Sequence, residues 1–204
     1  MTTECRDTVF VVDDDEDIRS SLKRLLEQVD LKVEEFSKAS DFLKAYDPAS
    51  PGCLLLDIRM PEMSGTELQK RMLERGMFLP IIFITGHADV AIAVDCMKRG
   101  AFEFIEKPVR AQRFLDTIQR ALSLDRERRS IRVEIDEAKA CCSRLTPRES
   151  QVVEFAVTGL SNRDIARELG VSSQAIDAHR SNAMQKLGVT NVADLVRLIQ
   201  KVEG

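Results

Sequence analysis

Tryptophan is missing from this 204-residue sequence, tyrosine occurs once, and glycine and proline number only 9 and 6. With 44% apolar residues, these shortages exclude a fibrous or disordered chain. Long apolar runs are also absent. Stretches such as Leu79-Pro80-Ile81-Ile82-Phe83-Ile84 hold about five apolar residues, against the roughly 20 that span a bilayer. Met1-Thr2-Thr3-Glu4-Cys5 has no basic flank followed by an apolar run, so no secretory signal is expected. The five cysteines (Cys5, Cys53, Cys96, Cys141, Cys142) include no CxxC pair, and only His87 and His179 could join them. Zinc spacing is therefore lacking and a disulfide framework is not expected; the cysteines read as small apolar fillers in a reducing compartment. The expectation is a soluble cytosolic protein of one or two domains with no membrane partner.

A basic excess is lacking too. Residues 1–124 carry 17 Lys and Arg against 22 Asp and Glu, residues 125–143 carry 5 against 5, and residues 144–204 carry 8 against 7. The first segment is too acidic to bind nucleic acid by itself, and the last is too nearly neutral for charge alone to argue DNA binding. Any such function must rest on residue pattern.

What the first half does contain is alternation. Val9-Phe10-Val11-Val12 is a buried-strand run that ends in Asp13-Asp14-Asp15, and Ile18, Leu22, Leu25, Leu26 and Val29 then follow as a helix stripe. The same sequence of strand then helix repeats through 31–36, a short helix around Phe42 to Tyr46, Cys53–Leu56, Gly65–Arg75, Ile81–Ile84, Val90–Met97, Phe102–Ile105 and a helix beginning near Val109. Five such units with apolar strands predict an α/β domain with a parallel sheet covered on both faces. No GxGxxG follows the first strand, so a dinucleotide site is not supported.

The polar residues fall where such a sheet binds ligands. Asp13 and Asp14, Asp57, Thr85 and Lys107 each close a different predicted strand, and in a parallel sheet those carboxyl ends share one edge. Converging carboxylates with no nearby His or Cys favour an oxygen-liganded cation, Mg²⁺ above others such as Mn²⁺. Lys107 adds a fixed positive charge and Thr85 a hydroxyl donor, both suited to a phosphoryl group arriving on an Asp oxygen. Taken singly, each residue is more ordinarily a helix cap or a solvated loop residue; the ordered set is more specific.

Asp13-Asp14, Leu54-Leu55-Leu56-Asp57-Ile58-Arg59-Met60-Pro61 with Ser64-Gly65, Ile84-Thr85-Gly86-His87 and Phe104-Ile105-Glu106-Lys107-Pro108 together resemble the receiver domain of two-component response regulators, over roughly residues 8–122. The resemblance implies a flavodoxin-like (CheY-like) sheet of strand order 2-1-3-4-5. It also implies Asp57 as phosphoacceptor, Mg²⁺ held by Asp14, Asp57 and the Arg59 backbone carbonyl, with Asp13 acting through a water, and Lys107 on the acyl phosphate. Thr85 and Phe104 would move together as a switch. The face carrying Val90, Val94 and Lys98 is the expected dimer contact. A general-base role for His87 is the lesser alternative, because the family signature is variable there. Met60 and Met63 are expected to pack under the loop.

Residues 123–143 read as a helical linker continuing the last receiver helix, so that the receiver occupies 1–122. Leu124, Ile131, Ile135, Ala138, Cys142 and Leu145 form a heptad-like seam, too short to hold a dimer alone.

From residue 144 to 204 the pattern is all helical. Thr146, Pro147 and Glu149 have the spacing of an N-cap, first helical residue and capping-box partner. Gly159, Gly170 and Gly188 punctuate four helices, with Ser161 and Ser172 as caps. Two helices joined by a tight glycine turn make a helix-turn-helix. Leu145-Thr146-Pro147-Arg148-Glu149, Gly159-Leu160-Ser161-Asn162, Ile165–Ser172 and His179-Arg180-Ser181-Asn182 through Lys186-Leu187-Gly188-Val189 resemble LuxR-type DNA-binding domains. Combined with the receiver, they point to the NarL/FixJ group. Ser173–Leu187 would then be the recognition helix, with Gln174, Asp177, Ala178, Arg180, Ser181 and Asn182 facing the major groove, and Arg163 and Lys186 on phosphates. Ala175 and Asp177 depart from the Thr and Lys common in the family, so one DNA contact is expected to be lost. His179 reads as structural.

The implied function is phosphorylation-controlled transcription, probed against two others. A metal-dependent phosphohydrolase would need a second Asp two residues after the nucleophile, where Arg59 stands. A phosphate-independent scaffold would not need the complete acidic pair, acceptor, Thr and Lys. Expected partners are a sensor histidine kinase, promoter DNA, RNA polymerase and, once phosphorylated, a second copy. The only catalysis expected is the receiver's own phosphoryl transfer and dephosphorylation.

Overall fold

The structure, a computed structural model, describes residues 7–86, 90–108 and 110–203. His87 and Cys5 lie outside the described residues. The chain forms two compact units, Met1–Arg128 and Arg129–Gly204.

The first unit runs β1 (Thr8–Val12), α1 (Glu16–Glu27), β2 (Lys32–Phe36), α2 (Ala39–Ala45), β3 (Gly52–Asp57), α3 (Gly65–Glu74), β4 (Ile81–Thr85), α4 (Val90–Lys98), β5 (Glu103–Glu106) and the start of α5 (Ala111–Cys142). Its sheet has the order β2-β1-β3-β4-β5, and every pair is parallel. β1, β3 and β4 are buried along their whole length, as their apolar runs predict. The edge strands are not apolar throughout: β2 reads KVEEF and β5 EFIE, both partly exposed. One side of an edge strand is wet, so charged residues are tolerated there and blunt edge-to-edge pairing.

Period-two alternation divides the strands between two cores. Phe10, Val12, Leu54, Leu56 and Phe83 pack with Phe42, Leu68 and Met72 on one face. Val9, Val11, Leu55, Ile82 and Ile84 pack with Leu26, Phe114 and Ile118 on the other. Met60 and Met63 join the first core, as expected. At the start of β3 a Cβ on Gly52 would stand 1.9 Å from the Thr8 carbonyl oxygen, so only glycine lets these strands pair there. The Gly52 amide donates to Asp125 Oδ2 at 2.9 Å. Asp125, in the segment read as linker, is thus buried in the first unit.

The second unit takes the end of α5 and adds α6 (Pro147–Val157), α7 (Asn162–Leu169), α8 (Ser173–Leu187) and α9 (Val192–Glu203). The capping box forms as its spacing predicts: Thr146 Oγ1 accepts from the Glu149 amide, and Glu149 Oε2 accepts from the Thr146 amide at 2.8 Å. Ser161 and Ser172 cap α7 and α8. Gly170 and Gly188 end them with φ of +65° and +69°, a left-handed conformation that glycine adopts without strain. Val152, Val153, Ala156, Ile165, Ile176, Ala183, Leu187 and Leu195 form the core. Of the heptad-like seam, Ala138 is buried, and Cys142 and Leu145 pack against this core, whereas Ile131 is half exposed.

Candidate functional site

Parallel pairing brings the strand-end residues to one edge. Val12 is in register with Leu56, Asp57 with Ile84, and Thr85 with Glu106, so the residues closing β1, β3, β4 and β5 meet. Lys107 Nζ donates to Asp13 Oδ2 at 2.9 Å and to Asp57 Oδ1 at 3.2 Å. The second Asp57 oxygen accepts from the Arg59 amide at 2.7 Å. Asp57 is 8% exposed, and burial raises its pKa above the ordinary carboxylate value despite the Lys107 charge and the Arg59 amide. Burial acts against the Lys107 ammonium but is outweighed by the Asp13 hydrogen bond and the two carboxylate charges, so its pKa is raised.

Asp13 is buried at this edge. Its Oδ1 accepts from the Asp15 amide at 3.0 Å and its Oδ2 from Lys107, so both oxygens have protein donors. Asp14 is exposed instead, and with Arg59 it lines a cavity of about 840 Å³. Among the described residues no three His, Cys, Asp or Glu side chains converge tightly enough to cage an ion. Three carboxylates and one ammonium nevertheless leave an excess of negative charge on hard oxygen donors. That set fits Mg²⁺, which keeps several waters and takes one or two carboxylates together with phosphate oxygens.

The machinery under the edge includes two residues that the sequence did not single out, Arg19 and Gln69. Arg19 of α1 donates from Nη1 to the Asp13 carbonyl at 2.7 Å, holding the loop after β1. An Arg one turn into a helix carries no signal of that role. Gly65 starts α3 against the phosphoacceptor strand: a Cβ there would stand 2.2 Å from the Asp57 carbonyl oxygen, and the Gly65 amide donates to Ile58 at 3.0 Å. Gln69 of α3, buried, donates to the Cys96 carbonyl of α4 at 3.0 Å. Thr85 is buried at the end of β4, and Phe104 lies partly buried with its ring 6.5 Å from that of Phe83. On α4, Val90, Val94 and Lys98 are exposed, with Val90 at 76%.

On α8, Gln174, Asp177, Ala178, Ser181 and Asn182 are all exposed, as the recognition-helix pattern expects, and Arg180 and His179 are partly buried. Three polar contacts were not foreseen. Arg180 Nη1 donates to Asn162 Oδ1 at 2.6 Å, and Asn162 Nδ2 donates to Asp177 Oδ1. Lys186 Nζ donates to Glu149 Oε2 at 2.6 Å. Lys186, though exposed, is therefore tied to α6 within the helical unit; Arg163, on α7, is exposed as well. Among the described residues no helix is long and apolar enough to cross a membrane.

Comparison with known proteins matches residues 9–119 to the response regulator receiver domain and residues 143–199 to the bacterial regulatory proteins of the luxR family. The chain is 40% identical over 195 residues to the response regulator protein TmoT of Ectopseudomonas mendocina, covering 96% of this chain and 89% of that protein. It is 38% identical over 201 residues to the transcriptional regulatory protein FixJ of Bradyrhizobium diazoefficiens, covering 98% and 97%. The solved structure of the response regulator StyR superposes with a TM-score of 0.87 at 45% identity, covering 96% of this chain and 99% of that one. With its flavodoxin-like receiver and helical second unit, the chain belongs to the transcriptional response regulators that join a receiver domain to a LuxR-type DNA-binding domain.

Proposed function

We propose that Asp57 accepts a phosphoryl group from a sensor histidine kinase and that this modification controls dimerisation and promoter binding. The observation that carries the proposal is Lys107, whose ammonium lies between Asp13 and Asp57 at the sheet edge. In the transfer, a carboxylate oxygen of Asp57 forms the new bond to phosphorus while the bond from phosphorus to the donor imidazole breaks. Positioning and charge neutralisation supply most of what such a transfer needs. The Arg59 amide holds the carboxylate in place, and Lys107, already shared with Asp13, turns to the incoming phosphoryl oxygens. Asp14, Asp57 and the Arg59 carbonyl would hold Mg²⁺, or Mn²⁺ in its place, with Asp13 outside them. When bound, the ion neutralises phosphoryl charge.

The phosphoryl group adds about two negative charges at the edge. The Thr85 hydroxyl moves to donate to it, Phe104 turns into the space vacated, and the α4 face with Val90, Val94 and Lys98 becomes the contact between two copies. The dimer then places two α8 helices on DNA, where RNA polymerase is recruited. Beyond its own phosphoryl transfer and loss, the protein carries out no catalysis.

Incubation with a small phosphodonor and Mg²⁺ tests the assignment. Wild-type protein should incorporate one base-labile phosphoryl group and Asp57→Asn none, while Asp14→Ala should need far more Mg²⁺ with its fold intact. Full incorporation by the Asp57→Asn protein would sink the assignment.

A further inference from the structure

Asp177 is an anomaly on a helix that faces a polyanion. It is exposed on α8, in a unit whose charges nearly cancel, and a carboxylate there repels every phosphate it approaches. Its surroundings show how it is held. The Asn162 amide, the first residue of α7, lies between Asp177 and Arg180, giving Nδ2 to the carboxylate and Oδ1 to the guanidinium. This order cannot be reversed, because a flipped amide would set oxygen against carboxylate and nitrogen against guanidinium. Asn162 therefore fixes an acceptor and a donor side by side, three residues apart on one helix, in a set polarity. Among the described residues, Asp177 Oδ2 has no partner.

We propose that Asp177 is a specificity-determining residue that reads a cytosine amino group in the major groove, with Asn162 positioning it. In that groove only cytosine N4 and adenine N6 offer amino donors, and a carboxylate pairs with cytosine N4, whereas an asparagine pairs with adenine through both N6 and N7. The carboxylate acts through rejection as well. Opposite the acceptor edges of guanine or thymine it finds like partial charge and no hydrogen, so wrong sites are penalised in addition to the general phosphate repulsion. The loss of one DNA contact expected from the missing basic residue at this position is thus replaced by a gain in selectivity.

The inference rests on DNA binding by α8, and the test separates the two. Full-length protein, activated with beryllofluoride and Mg²⁺, is used to select sites from a random DNA duplex library. The wild-type profile should contain a column where cytosine is preferred by about tenfold or more. Asp177→Ala should flatten that column, leave the others within about twofold and strengthen binding to non-specific duplex. Asp177→Asn, whose carbonyl oxygen keeps the Asn162 hydrogen bond and whose amide nitrogen then faces the groove, should move the same column from cytosine to a base with an acceptor edge, guanine or thymine. Asn162→Ala should flatten it in part. If wild-type protein selects no sequence, the DNA-binding reading falls and this inference with it. If it selects a defined site whose every column is unchanged in both Asp177 variants, the inference alone is overturned. Retention of cytosine by Asp177→Asn has the same consequence.

Discussion

Lys186 Nζ stands 2.6 Å from Glu149 Oε2, the oxygen that also accepts the Thr146 amide, so one carboxylate closes the capping box of α6 and fastens the last turn of α8. The Lys186 hydrogen bond and the Thr146 amide hold the Glu149 pKa down to about 2. A carboxyl lowered on folding stabilises the native state above its unfolded pKa, and the contribution is lost as pH falls through the folded value. The LuxR-type unit should therefore keep this contribution above pH 4.5 and lose it progressively between about 4.5 and 2. Urea unfolding followed across that range should show the slope in wild-type protein and a flatter curve in Glu149→Gln.

The same pairing separates the two residues expected on phosphates. Arg163→Ala should weaken binding on all sequences alike and reduce the dependence of log affinity on log salt by about one. Lys186→Ala should act first on stability, lowering the unfolding midpoint of the helical unit. Equal losses of salt dependence in both variants would return Lys186 to the DNA surface.

Gly65→Ala would force a methyl group to within 2.2 Å of the Asp57 carbonyl oxygen, a backbone atom that cannot swing aside. A destabilisation of about 1–3 kcal/mol, the usual range for overpacking, is expected. Phosphoryl incorporation should slow, because relief of the clash shifts the acceptor strand or the start of α3. Denaturant unfolding and phosphodonor labelling of the same sample check both effects.

Lys107→Ala leaves Asp13 and Asp57 beside each other without their shared cation. Since Lys107 opposes the upward shift of Asp57 and Asp13 adds to it, the Asp57 pKa should rise further. Only the carboxylate is a nucleophile, so residual labelling of this variant should climb to higher pH than in wild-type protein. A pH series of initial labelling rates measures the displacement.

Exposure of Val90 and Val94 on α4 leads to an association test. Sedimentation with beryllofluoride and Mg²⁺ should show a dimer in wild-type protein and a monomer in Val94→Asp. A conformational equilibrium moves from 1:99 to 99:1 with about 5.5 kcal/mol, so a modest contact suffices. A wild-type monomer at concentrations where DNA affinity nevertheless rises would leave release of an inhibitory contact as the mechanism.

Much of this protein is local, and local features are legible in a sequence. The three central strands announce themselves because each is a short apolar run that must be covered on both sides, and the glycines at 170 and 188 because glycine takes the left-handed turn that ends a helix without strain. Asp13, Asp57, Thr85 and Lys107 were readable as strand ends, which a parallel sheet gathers at one edge whatever the details of packing. Tertiary structure decided what depends on the partner a side chain meets far along the chain. Glu149 claims Lys186 across 37 residues, Asn162 joins Asp177 to Arg180 across 15 and 18, and Gly52 reaches Asp125 across 73. Nothing in the spacing of these residues encodes the pairing. A hydrogen bond is worth little until packing has brought donor and acceptor together, and that is settled by the whole core at once. Local pattern settles the elements, their caps and the chemistry at the sheet edge; only the assembled fold, which brings distant donors and acceptors together, settles which charged groups pair inside each unit.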